Sequence, residues 1–221
     1  MTLQPDENLT DEARLALAHT RPVLTDALRI VLEFDQRLAR IVAATTEPML
    51  GQMRLAWWRD TLGMPVDERP KGDAVLDGLG RFLAGQEASL IAVVDGWEHM
   101  LSAPPLAREA VMAFAQGRGA GIAGLGDTVG AAVPTVEDLL ACGQIWALAD
   151  AASHIVQGEE RETLLDVARE LPRPAHRLPA PFRGVAILYA LAERSLKSGG
   201  APLMAGRGAA LVALRAGLFG R

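Results

Sequence analysis

The sequence predicts an all-α fold, a single-domain bundle of helices around one core. Three observations carry this. Apolar residues recur at steps of three and four, most clearly at Val23, Ala27, Ile30, Phe34, Leu38 and Ile41. No alternating β-branched run bounded by turn residues is present. Half of the 221 residues are hydrophobic, enough to bury a substantial core.

The elements follow in order. Residues 1–9 are acidic and polar and read as a flexible leader before a helical domain spanning residues 10–221. Thr10, followed by Asp11 and Glu12, marks a helix start, with a hydroxyl cap and acids suited to the positive helix end. Pro22 can open the next helix as its first residue, and the stripe above carries that helix to residue 44. Its other face holds Asp26, Arg29, Glu33, Arg37 and Arg40. Thr46, Glu47 and Pro48 restart the chain as a helix to about Leu62. Residues 63–72 read as a surface loop, and helices are expected at 73–84, 86–101 and 105–116. The glycine-rich residues 117–126 fit either a loosely packed helix or a break. Thr135 and Asp138 open a long helix to about Val156 in the manner of a capping box. A short acidic helix at 159–170, an irregular proline-rich stretch at 172–181 and helices at 182–197 and 203–218 complete the chain.

Composition excludes several classes. The net charge of −5 gives no pull toward nucleic acid. Lys71 and Lys197 are the only lysines, and no local basic cluster marks a membrane patch. A transmembrane helix needs roughly 20 apolar residues, and no stretch approaches that length. The N-terminal stretch lacks the order of a secretory or transit signal, so a cytoplasmic location is expected. Cys142 is the single cysteine and lies in an apolar run, which suits a buried small hydrophobe and excludes an internal disulfide.

Most motif-like patterns have a plain structural reading. Gly119, Gly121 and Gly124 match G-x-G-x-x-G but follow a helical segment, so close helix approach is the better account. Asp73 and Asp77 could share a helix face and hold Mg²⁺, yet acids in a first helical turn commonly serve the dipole. Glu162, Asp166 and Glu170 read as a solvated stripe. His19, His99, His154 and His176 form no zinc pattern.

The least ordinary segment is residues 47–62, EPMLGQMRLAWWRDTL. Met49, Met53 and Trp57 continue one stripe; Leu50, Arg54 and Trp58 form a second, with Arg54 placed to stack on the Trp58 indole. Either this is a core helix with one tryptophan buried and Arg59 and Asp60 solvated, or Arg54 faces a cavity that takes an anion or a partner.

Arg54, Leu55, Trp57, Trp58, Arg59 and Asp60 resemble the R-L-x-W-W-R-D signature of the squalene/phytoene synthase family, in particular its short bacterial branch related to mitochondrial complex I assembly factors. GQIWALADAASH, residues 143–154, is similar to that family's glutamine–asparagine–arginine–aspartate helix, and RLPAPF, residues 177–182, to its later leucine-proline motif. The resemblance implies an isoprenoid synthase type of bundle, somewhat shortened at the C-terminus. Active members hold Mg²⁺ between two aspartate-rich helices to neutralise departing diphosphate. Here the first motif's aspartates fall on Ala39, Arg40 and Ala43, and the second motif's on His154 and Gly158. The family's asparagine falls on Asp150; a shift of one turn would bring in Asp35 or Glu159.

The resemblance therefore implies a non-catalytic protein with no bound metal or cofactor, a binding or assembly factor for a respiratory membrane complex. Its partner would be a protein client or a lipid-like ligand, with peripheral contact to the inner membrane. Arg54, Trp58, Arg59, Gly143, Ala147, Asp150 and His154 are the candidate cavity residues. Gly143, Ala147, Asp150 and His154 share a helix face that fits either close packing, with Asp150 and His154 bonded to each other, or the edge of a remnant cavity. Two alternatives stand beside this reading: a divergent Mg²⁺-dependent prenyltransferase acting on isoprenoid diphosphates, and a purely structural helical interaction domain.

Overall fold

The computed structural model describes residues 9–129, 134–156 and 158–220. Ten α-helices and three short 3₁₀ turns account for the regular structure of these residues, with no strand among them. The chain runs through α1 (Asp11–Ala18), α2 (Pro22–Ala43), α3 (Pro48–Gly63), α4 (Ala74–Phe82) and α5 (Glu87–Glu98). It continues through α6 (Arg108–Ala123), α7 (Val136–His154), α8 (Gly158–Glu170), α9 (Arg183–Lys197) and α10 (Gly208–Phe219). Residues 1–8 of the expected leader lie outside the described residues, and Leu9, its last residue, is buried in the core.

Capping chemistry sets several boundaries. Pro22 and Pro48 open α2 and α3. Asp73 caps α4, accepting from the Val75 and Leu76 amides at 2.9 and 3.0 Å, while Asp77 reaches back to accept from the Gly72 amide at 3.0 Å. Asp73 also pairs with Arg37 of α2 at 3.0 Å. These two acids thus serve the start of a helix. Thr10 occupies the cap position of α1, but its hydroxyl makes no capping bond. Thr135 does cap α7, accepting from the Asp138 amide at 3.1 Å. The Asp138 carboxylate turns instead to the proline-rich loop. There it accepts from the Ala175 amide at 2.6 Å and lies 2.9 Å from His176 Nδ1.

Helix α7 is apolar nearly all round and occupies the centre, which is where such a helix must go. It packs on α6, α8 and α9; α6 in turn packs on α5, and α1 and α10 both lie on α9. One hydrophobic cluster runs from Leu9 to Ala216, with Leu178 and Phe182 of the leucine-proline stretch inside it. Of residues 117–126, the first seven continue α6 and the last three begin the 3₁₀ turn Gly124–Thr128, and the glycines in the helical part serve close approach. A Cβ on Gly143 would lie 2.8 Å from the Gly119 Cα and 2.9 Å from the Ile122 Cβ, so α6 and α7 cross almost backbone to backbone. Cys142 is buried in α7, and burial pushes its thiol up from the usual range.

Candidate functional site

A half-open cavity of about 490 Å³ lies among α1, α2, α6 and α7, with Trp97 at the end of α5 and Met100 just beyond it also on its wall. Such a volume is within the span of small-molecule sites, about 300–1,000 Å³. The walls are apolar: Leu32, Val42, Met100, Trp146 and Ile155. Glu12, Gln36, Arg40 and His154 also border it. Ala39, Arg40 and Ala43, the positions on which the resemblance places the first aspartate motif, all line this cavity.

Arg118 of α6 forms the polar floor, with its side chain 1% exposed. Its Nε and Nη2 donate to the two Asp35 oxygens at 2.8 and 2.6 Å, a bidentate pair. Its Nη1 lies 2.9 Å from Asp150 Oδ2 and donates to the Ala147 carbonyl at 3.2 Å. Trp97 Nε1 donates to Asp35 Oδ1 at 2.8 Å. Aromatic faces enclose the guanidinium, with ring centres of Trp146, Trp97 and Phe114 at 4.2, 5.0 and 5.3 Å. Burial pushes the Asp35 carboxyl above its ordinary value, against the pull of Arg118 and the Trp97 donor. Burial also works against the charge on Arg118, but the two carboxylates outweigh it and hold the guanidinium protonated. Two carboxyl groups thus share one buried guanidinium.

The candidate residues divide between this cavity and its supports. Asp150 and His154 line it. His154 Nδ1 lies 2.8 Å from the Asp150 backbone carbonyl but 3.7 Å from its carboxylate, so the expected bond between the two side chains is absent. Ala147 contributes its carbonyl to Arg118, and Gly143 makes the α6–α7 crossing. The shared face of α7 is therefore close packing in its first half and cavity wall in its second.

Arg54, Trp58 and Arg59 are not among the lining residues of this cavity. Arg54 is exposed on α3, and among the described residues the guanidinium that stacks on tryptophan rings is Arg118. Trp58 is buried against Phe34 of α2, ring centres 5.2 Å apart, and holds an edge contact with Trp57. Arg59 is half-buried rather than solvated. Its Nε donates to Asp95 at 2.7 Å, and it also bonds Glu98, fastening α3 to α5. The tryptophan segment thus braces, from outside the cavity, the helices that present Asp35 and Trp97. The outer stripe of α3, Met49, Leu50, Met53 and Trp57, is exposed.

Arg118 was missed in the sequence, although a signal existed. It is the one charged residue between Glu109 and Asp127, in a stretch of glycine, alanine and apolar side chains. A lone charge in such surroundings is buried and paired.

The fold and the site define a helical-bundle protein with an apolar cavity floored by a guanidinium between two carboxylates. Set against protein-family models, curated proteins and solved structures, the chain matches none. Among the described residues no three His, Cys, Asp or Glu side chains group as a metal set, and no helix is long and apolar enough to cross a membrane.

Proposed function

We propose that this protein is a non-catalytic binder of an elongated apolar, lipid-like molecule, built on a bundle that resembles the squalene/phytoene synthases. The observation that carries the reading is the position of Arg118. Asp35 on α2 and Asp150 on α7 approach each other from facing helices, and the guanidinium sits between them. The Mg²⁺ held by active members of the family it resembles does not fit this arrangement. Both carboxylates are already committed to an internal cation, and a divalent ion beside it would meet like charge at close range. The floor's guanidinium is already held by two carboxyl groups and offers no cation to a diphosphate, whereas their oxygens suit a neutral head that donates a hydrogen bond. The apolar walls supply affinity for a hydrocarbon chain.

An assembly role for a respiratory membrane complex rests on the resemblance. The exposed Met49, Met53 and Trp57 stripe supports it as a surface suited to a protein client.

The test is thermal shift with farnesol and with farnesyl diphosphate, each with and without Mg²⁺. Farnesol is expected to raise the melting temperature regardless of Mg²⁺. No diphosphate is expected to be released. Mg²⁺-dependent turnover of farnesyl diphosphate that Asp150→Ala abolishes would establish the prenyltransferase alternative instead. A melting temperature indifferent to both compounds would favour a purely structural domain.

A further inference from the structure

We propose that α10 is a docking face for an anionic phospholipid surface, independent of what the cavity holds. The helix is amphipathic in the reverse of the usual sense. Its inward side is small, with Ala209, Ala213 and Ala216 buried on the bundle. Its large side chains point out: Leu211 is 70% exposed, Leu214 51%, Leu218 61% and Phe219 56%. At 3.6 residues per turn these fall on one continuous side. Arg215 lies on the same side, one turn from both Leu211 and Phe219, and is exposed, as is Arg207 just before the helix.

Charge identifies the occupant. From Arg194 to the end the sequence holds Arg194, Lys197, Arg207, Arg215 and Arg221 and no acid. The segment carries +5 and the residues before it −10. An apolar ridge flanked by arginines suits insertion at the boundary between anionic headgroups and acyl chains, with the guanidinium groups reaching back to phosphate. A second copy of the same face would set Arg207 and Arg215 against their equivalents, which opposes self-pairing. The ridge is aliphatic leucine for the most part, whereas protein hot spots favour tryptophan and tyrosine.

The face is also held rigidly outward. Gly217 packs so closely on His19 that a Cβ there would lie 2.7 Å from the ring. Gly220 ends the helix in the left-handed conformation, and its carbonyl accepts from the Leu178 amide at 3.3 Å.

Co-sedimentation of the whole protein with phosphatidylcholine vesicles, with and without phosphatidylglycerol, tests this. Binding is expected only when phosphatidylglycerol is present, and it should weaken as salt is raised. The double variant Leu214→Glu with Leu218→Glu should lower binding at least about tenfold. Arg207→Gln and Arg215→Gln should each lower it about fivefold. Circular-dichroism melts of these exposed-site variants should match the parent. The proposal fails if the variants bind as well as the parent. It fails equally if the protein binds neither vesicle, which points to an acidic protein partner. A parent dimer that the double glutamate variant splits would assign the face to self-association.

Discussion

The α6–α7 crossing and the α9–α10 contact use the same device to opposite ends. Both rely on small side chains to bring helices close, glycine at 119 and 143 in one and alanine at 209, 213 and 216 in the other. At the first crossing, the close approach accompanies a charged residue turned inward, with Arg118 buried between Asp35 and Asp150. At the second, the small residues occupy the buried side, and four large apolar residues remain outside. Small residues at a helix contact therefore say that two backbones are close. They do not say whether the neighbouring side chains serve the core or the surface.

The comparison can be broken most severely at Arg118. Arg118→Met leaves the buried Asp35 and the partly buried Asp150 facing each other without their cation and should cost about 3–5 kcal/mol in urea denaturation. Gly143→Ala puts a methyl group 2.8 Å from the Gly119 backbone, where relief requires the helices to part. A loss of about 1–3 kcal/mol is expected by the same measurement.

Asp138, at the start of α7, adds a pH dependence. Burial pushes its carboxyl up, but the His176 ring and the Ala175 and His176 amides more than offset this, placing it below its ordinary 3.8. A carboxyl lowered on folding stabilises the native state fully above about pH 4 and loses that contribution as pH falls through the lowered value. Asp138→Asn should cost about 1–2 kcal/mol at neutral pH and flatten the acid limb of the stability profile.

Gly217→Ala at the second contact meets side-chain atoms rather than backbone, the His19 ring at 2.7 Å and Ile187 Cδ1 at 3.3 Å, and gains helix propensity. Its calorimetric effect should stay below about 1 kcal/mol. Leu214→Glu on the outward face should lie within about 0.5 kcal/mol of the parent in urea denaturation. A large loss there would show that the leucine ridge is core after all and would sink the contrast.

The helices themselves were legible in the sequence, because their signals are local. The α2 stripe, Pro22, Pro48 and the Thr135 cap each act within a turn or two of the residues they order. The irregular path of residues 172–179 is legible in the same way from its prolines. The cavity was half legible. Asp150 and His154 came from one helix face, and Ala39, Arg40 and Ala43 from the register of the resemblance. Asp35 was named only as a fallback ligand, and its partner Arg118 lies 83 positions further on. No periodicity reports a contact at that separation.

The position of Arg54 and Arg59 outside this cavity has a related cause. Helix α3 carries apolar residues on two sides, Leu55 and Trp58 within and Met49, Met53 and Trp57 without. A helical period fixes which residues share a side but not which side faces water. The basic character of the last segment is hidden in the sequence for another reason. Its charges are spread along the chain and interrupted by glycine and alanine, so no run of them stands out. They matter because the acids end at Glu193.

Cys142 turns the central position of α7 into an experimental handle. Its sulfur is enclosed and its thiolate disfavoured, so alkylating reagents in solution find nothing to attack while the bundle is shut. Each modification event then records an opening of the innermost helix. With a single thiol in the chain, mass spectrometry of the intact protein counts those openings without any engineered probe.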